Sequence, residues 1–414
     1  MERHLFDSLW PVFGFGRYLG VFPCQRIKDS LTGKVRLLPI NWKIQWASYV
    51  CTMVLSNAGV LINTMVLMAN VKSFEDLKKC MVKDSEVDYN VMDSSSTMIL
   101  TGLLFGTCFI VQWQTFQAKS KLCKLSNFAE GMLSRPHKGG KKILKPFLVV
   151  TILSFIFDFS SSLLYLYIHI DCFSLDWIWS VLIVSSQLIS LIVFTYPIFL
   201  FLGLVLEIDL MVIQQSEKCK GQITDSTDPE RYLNSVIDLV VYLERSRNML
   251  SPNHFYVTSF LAIAIMMLLF IVISQIVLYF GKINTMFALV LLENGIFLVM
   301  LSVYLWYINI WSQKVTDEIH DLNDRLKKVF VQAGEMEFEK QIVSMPFMKS
   351  YVQDKLDEFQ GFDGKGYFVL GKSFLKNLLT FIATYFVILL QFRLSQTPTS
   401  QVSDDNFNET LNVS

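Results

Sequence analysis

Charge is what this chain of 414 residues has least of. Lys, Arg, Asp and Glu make up 17% of it and cancel to a net charge of zero, against about 25% charged residues in an ordinary soluble domain. No basic stripe, glycine-rich phosphate loop or internal repeat is present, so nothing points to nucleic acid, to a nucleotide or to a solenoid. The five His are scattered, and neither H-E-x-x-H nor G-x-S-x-G occurs. Enzyme chemistry therefore has no motif to stand on, and neither a metal nor a cofactor is expected. The residues before Leu19 are interrupted by Arg3, Asp7 and Arg17 and lead to no A-x-A site. No cleavable signal peptide is expected, and the first long apolar run is expected to act as the insertion signal.

What the chain does have is apolar length. It is 52% hydrophobic and 14% aromatic, with 34 Phe, and its mean hydropathy is +0.42. Runs near the roughly 20 residues needed to cross a bilayer occupy Ile44–Met68, Met98–Phe116, Pro146–Ile170, Trp177–Leu206, Phe255–Phe280 and Thr285–Trp311, and a last run ends at Phe392. Apolar spans in lipid must satisfy their own backbone groups. The expected fold class is an all-α membrane protein of seven transmembrane helices.

The few charges are unevenly placed. Segments 1–43, 119–145, 208–254 and 312–376 hold 7, 8, 5 and 10 basic residues, 30 of the 36 in the chain. Two loops of similar length make the cleaner comparison: 119–145 has eight basic residues, whereas 71–95 has four against six acidic ones. The positive-inside rule then puts the N-terminus in the cytoplasm and the C-terminus outside, an inverted topology. The two N-x-[ST] sequons, at Asn408 and Asn412, both lie in the C-terminal tail, where glycosylation needs a lumenal location. The expected organisation is a cytoplasmic segment 1–43, a six-helix membrane region 44–311 for ligand sensing, cytoplasmic helices 312–372, a seventh helix 373–395 and an extracellular tail 396–414.

Seven cysteines make no disulfide framework. This topology places Cys24, Cys123 and Cys219 in the reducing cytosol and Cys51 and Cys108 in spans. Only Cys80 and Cys172 face outside, as the one pair available for a disulfide; two unpaired thiols are the alternative.

The inversion is opposite to that of G-protein-coupled receptors. The last span also lacks N-P-x-x-Y, and Glu230-Arg231-Tyr232 follows the fourth span rather than ending the third. Thr384-Tyr385-Phe386-Val387-Ile388-Leu389-Leu390-Gln391-Phe392 instead resembles the T-Y-(five apolar)-Q-F signature of insect gustatory receptors. Gly366-Tyr367-Phe368 looks like that family's G-hydrophobic-F lead-in, and Tyr18-Leu19-Gly20-Val21-Phe22-Pro23 is similar to its L-G-x-F-P. Two departures stand out. Gly371 and Lys372 occupy the place of a frequent acidic residue, and T-Y-F replaces the T-Y-E of the common-sugar branch. The resemblance implies a ligand-gated, non-selective cation channel in the plasma membrane of sensory neurons. It further implies a homotetramer, or a heterotetramer with related receptors, whose seventh helices line one pore within the lipid and whose ligand is a tastant, either a bitter compound or a sugar such as fructose. Insect odorant receptors or their co-receptor are the neighbouring alternative. A secondary transporter, with ionisable groups at the membrane midplane, is the remote one, and no duplicated half supports it.

The residues themselves give the last helix two faces. Ile388, Gln391, Phe392 and Ser395 share one by i, i+3, i+4 and i+7 spacing, while Leu379, Ile382, Phe386 and Leu389 fall on another. In a tetramer, rings of Ile388 and Phe392 would exclude water, and the Gln391 amide would solvate a passing cation. Thr384 and Tyr385 complete this pore and gate set. Gln391 bonded to a neighbouring helix is the alternative. In the cytoplasmic segments, Ile319, Leu322, Leu326 and Val329, and likewise Leu233, Ile237, Val240 and Leu243, recur at helical spacing. They suit a tetramer anchor, packing within one subunit, or both.

For the ligand, intramembrane ionisable residues are the default candidates. Asp158 lies mid-span three and Glu293 in the outer part of span six. Ser162 and Tyr165 follow Asp158 on one face, and Gln187, Gln275 and Tyr279 reach similar depth on spans four and five. These seven residues form a candidate pocket open to the outside, where aromatics stack and amide or carboxylate groups orient a small molecule. A structural Asp158, bonded to a neighbouring hydroxyl, is the competing reading.

Overall fold

The computed structural model describes residues 24–28, 35–39, 91–132, 177–221, 229–279, 285–332 and 346–395, with single positions between 14 and 54 and between 149 and 163. Asp158, Ser162, Tyr165, Cys80, Cys172, Asn408 and Asn412 lie outside the described residues, as does most of the first and third expected spans.

Seven helices are described: α1 Val91–Gln117, α2 Lys119–Met132, α3 Trp177–Gly221, α4 Pro229–Tyr279, α5 Thr285–Gln332, α6 Pro346–Asp357 and α7 Lys372–Ser395. Portions of α3, α4, α5 and α7 are long and apolar enough to cross a membrane. The 45, 51 and 48 residues of α3, α4 and α5 correspond to roughly 70 Å or more of helix, over twice the thickness of a bilayer core. The span limits read from hydropathy, at Leu206, Phe255 and Trp311, therefore fall inside continuous helices. The reason is local. The polar stretches beyond those limits keep an apolar stripe at helical spacing, and the one proline inside each of α3 and α4, Pro197 and Pro252, removes only a single ladder bond.

The core is built around α3. Every residue from Phe194 to Val212 is buried, as expected of a helix apolar on nearly all sides. Phe194 meets Phe260 of α4 and Phe199 meets Tyr304 of α5 edge to face, with ring centroids 4.7 and 6.4 Å apart. The stripes beyond the apolar runs enter the same core: Ile319, Leu322, Leu326, Leu233, Val240 and Leu243 are buried within this single chain, and Ile237 is half-buried against them. Packing inside the subunit thus uses most of these two stripes.

Two acids escaped the list of costly buried charges because they stand at the end of the fourth apolar run. Glu207 accepts a hydrogen bond from the Tyr242 hydroxyl at 2.7 Å, and Asp209, fully buried, accepts one from Lys314 at 2.8 Å. Buried charge is tolerable only when paired. Tyr242→Phe removes one donor from a buried carboxylate, which costs about 1–3 kcal/mol. The detergent-solubilised protein is expected to melt several degrees lower, read by thermal unfolding at neutral pH.

The all-α expectation also missed two small ribbons. β1 (Cys24–Lys28) and β2 (Val35–Pro39) pair antiparallel, Cys24 opposite Pro39 and Lys28 opposite Val35. The Asn127 side chain of α2 clasps β2, donating to the Leu37 carbonyl at 2.7 Å and accepting from its amide at 2.8 Å. Cys24 is disulfide-bonded to Cys123 of α2, 99 residues away. This pairing differs from the Cys80–Cys172 reading, which excluded both residues on compartment alone. Closing so long a loop stabilises by roughly 4–5 kcal/mol in the chain-entropy view. The second ribbon, β3 (Asp363–Gly364) with β4 (Phe368–Val369), belongs to the candidate site.

Candidate functional site

The sequence "GFDGKGYFVLGK", 361–372, connects α6 to α7. Its glycines and single aspartate allow a tight turn. The Tyr367 amide donates to the Gly364 carbonyl at 2.9 Å, and both central residues are left-handed, Lys365 at φ 50° and Gly366 at φ 76°. This is the turn that suits a two-residue hairpin. A lysine there is costly, and α4 supplies the compensation. The Lys365 amide donates to Ser251 Oγ at 2.7 Å, and its ammonium donates to the Tyr256 hydroxyl at 2.9 Å. That ammonium also stands 4.3 and 5.3 Å from the ring centres of Tyr256 and Phe255.

Asp363 is the hub of the loop. Arg247 Nε donates to its Oδ1 at 2.9 Å, while the Gly366 amide and the Ser251 hydroxyl donate to Oδ2 at 2.8 and 3.3 Å. Burial alone would raise its pKa, but these donors, Arg247 foremost, outweigh it and hold the carboxyl below the usual range. Because the folded value is depressed, this stabilisation is present above the ordinary carboxylate range and is lost only as pH falls through the lowered one. The clasp therefore stays charged at neutral pH.

The other side of the loop is held by α5. Asn309 Oδ1 accepts from the Gly371 amide at 2.9 Å, Gln313 Oε1 accepts from the Lys372 amide at 3.3 Å, and Ser312 Oγ donates to the Leu370 carbonyl at 3.2 Å. The first free amide groups of α7 are thus capped by side chains of another helix. Beneath the loop Phe362 is fully buried against Phe201, His254 and Phe359. Gly361, at φ 120°, is pressed between Thr316 and Val369. No L side chain adopts that backbone comfortably, so Gly361→Ala is expected to cost about 1–3 kcal/mol. Lower melting temperature and reduced surface yield, side by side with Gly366→Ala, would measure it.

From this clamp α7 rises against α4 and α5 with very little cover. Ile382 is 4% exposed, and Leu375, Leu378, Phe386 and Leu389 are half-buried on the same side. Leu379, assigned to that side from spacing, is instead 53% exposed; Leu378 takes its place. The two differ by 100° around the helix, which moves the contact stripe one residue back. Thr384, Tyr385, Ile388, Gln391 and Phe392 are all exposed, with Phe392 at 60%. Thr384 turns its hydroxyl to its own helix, donating to the Thr380 carbonyl at 2.9 Å, and Tyr385 rests on Phe381 with ring centres 4.3 Å apart. An apolar helix bare around most of its circumference and held at its N-terminal end by two long helices can transmit their displacement to whatever its bare surface faces.

The candidate pocket is only partly on view. Gln187 and Tyr279 lie on α3 and α4. Gln275, on α4, is half-buried with Oε1 unpartnered, and Glu293 is half-buried on α5, the helix packed against α4. The residues of the loop clamp, Arg247, Ser251, Tyr256, Asn309, Ser312 and Asp363, were not foreseen. The available signal was the density of glycine around one aspartate just before the last helix.

The comparisons with known proteins rest on structure. No family model and no curated protein matches the sequence. The fold matches the insect olfactory receptor OR5 from Machilis hrabei, with a TM-score of 0.65 over 94% of this chain and 99% of that one, at 13% identity. It matches OR5 in complex with eugenol at a TM-score of 0.64, with the same coverage and identity. The chain has the fold of an insect olfactory receptor.

Proposed function

We propose that this chain is a subunit of an insect chemosensory receptor of the taste type, a tastant-gated, non-selective cation channel assembled as a tetramer. The single observation that carries the proposal is α7: a helix with the T-Y-(five apolar)-Q-F pattern, bare on the side of Thr384, Tyr385, Ile388, Gln391 and Phe392, within the fold of an insect olfactory receptor. Four such helices around an axis would cover their apolar sides and enclose a pore. Rings of Ile388 and Phe392 would then set the hydrophobic constriction. OR5 binds eugenol; here the ligand is a small tastant, and the seven pocket residues are its candidate contacts. Asp158→Asn and Glu293→Gln are expected to shift the dose response severalfold at unchanged unitary conductance, measured beside surface level.

Patch-clamp recording from cells expressing this chain alone, challenged with sugars, bitter compounds and volatile odorants, tests the proposal. Cation current evoked by a sugar or bitter compound supports it. Current to volatiles only transfers the chain to the odorant branch, and no current with surface protein present contradicts gating by this chain alone.

A further inference from the structure

We infer that Cys24 and Cys123 form a reversible cytosolic disulfide that fastens the N-terminal β1–β2 hairpin to α2. The inference rests on the inverted topology expected from the uneven placement of basic residues, which puts residues 1–43 and 119–145 on the cytoplasmic side. Thiols there are held reduced, and disulfides that do form are transient and redox-sensing. Yet the fold seats these two cysteines against each other, with Cα atoms 6.1 Å apart and the bond closed. Both sulfurs are buried, Cys24 beside the first turn of α2, where the Lys119 carbonyl lies 3.9 Å from its Sγ.

Among the described residues little else holds the hairpin. Its strands are five residues each, and an isolated two-stranded ribbon is marginal in water. Besides the disulfide, the named attachments are the two Asn127 bonds to Leu37 and the buried Leu37 side chain. Fraying of so small a ribbon would expose the sulfurs to small oxidants and reductants. The fastening reaches into the core, because α2 also carries Phe128, which stacks on Tyr242 of α4 at 6.2 Å.

The chemistry balances with hydrogen peroxide as oxidant. One thiolate attacks peroxide, forming an S–O bond and breaking O–O, to give a sulfenic acid and one water after proton transfer. The second thiol then attacks that sulfur, forming S–S and releasing the second water. Two electrons pass from the sulfurs to peroxide. Glutathione or a cytosolic dithiol returns two electrons and two protons by thiol exchange.

The hairpin contains its own reporters, since Arg26, Lys28 and Arg36 are trypsin sites within the two strands. Cells expressing the full chain are acid-quenched and alkylated, and the linked fraction of Cys24 and Cys123 is mapped by mass spectrometry before and after peroxide and after reductant. Inside-out membrane vesicles from the same cells are digested briefly with trypsin in each state. The linked fraction is expected to rise severalfold with peroxide and reverse with reductant. Cleavage at Arg26, Lys28 and Arg36 is expected to be at least fivefold faster in the reduced state, with Cys24→Ser cleaved at the reduced rate under both conditions. A linked fraction that never responds, or cleavage indifferent to redox state in the wild-type chain, overturns the inference. An N-terminal epitope tag on the same cells separates the two levels of failure. If antibody reaches the tag on intact cells, the topology has failed; if only after permeabilisation, the inference alone has.

Discussion

Phe392→Ala is expected to produce a channel that leaks without ligand, with resting current at least tenfold above wild type at equal surface level. In the proposed tetramer four copies of this ring, 60% exposed in the single subunit, meet at the narrowest level, and dewetting of an apolar constriction depends steeply on its radius. Gln391→Ala should behave differently. Closure depends on apolar bulk, so resting current stays low while open conductance or ion preference shifts through loss of the amide ring. Leu389→Ala, on the half-buried side with Ile382, is the control and should affect expression more than permeation. Ligand-free current, evoked current and surface protein are recorded for all three. A silent Phe392→Ala beside a leaking Leu389→Ala would mean that the helix presents its other side to the pore.

Arg247→Ala is expected to cut evoked current more than tenfold while the chain still reaches the surface. The substitution strands the Asp363 carboxylate, whose remaining donors are Ser251 and the Gly366 amide. Arg247 is about one-third exposed, so the loss falls near 2 kcal/mol rather than at the fully buried figure. Placed on the link between α4 and α7, that is roughly a thirtyfold change in an equilibrium. Arg247→Lys keeps the charge without the fixed fork of donors and should retain part of the response. Exchanging the charges, Arg247→Asp with Asp363→Arg, separates pairing from position: partial recovery favours the ion pair, and none favours the loop geometry. Mild acidification on either side of the membrane should leave wild-type gating through this clasp unchanged, because the Asp363 carboxyl is held low.

The apolar runs made the helical class readable, because hydropathy acts locally along the chain. The described helices fall where those runs lie, in α1, α3, α4, α5 and α7. Helix length was not readable. Hydropathy stops at the edge of the lipid, whereas α3 to Gly221 and α5 to Gln332 continue on narrower stripes such as Ile319, Leu322 and Leu326. Of the side of α7 expected to pack, Ile382, Phe386 and Leu389 do face the rest of the subunit and Leu379 does not, while exposure runs around most of the remaining helix, Phe381 and Val387 included. The clamp was illegible because it is made between distant positions: Arg247 meets Asp363 across 116 residues and Asn309 meets Gly371 across 62, and none of these carries a recognisable local motif. The Cys24–Cys123 bond escaped for a related reason. Compartment argued against it, and only the packing of the hairpin on α2 brings the sulfurs together.

The most direct test of α7 as the pore helix is single-channel recording with a membrane-impermeant, charged thiol reagent on cysteine variants of its two sides. Phe392→Cys and Ile388→Cys channels, opened by ligand, are expected to be blocked irreversibly within seconds of exposure, with Leu389→Cys and the wild-type chain unaffected by the same dose. Block of Leu389→Cys with Phe392→Cys and Ile388→Cys untouched would contradict the assignment of this helix face to the pore.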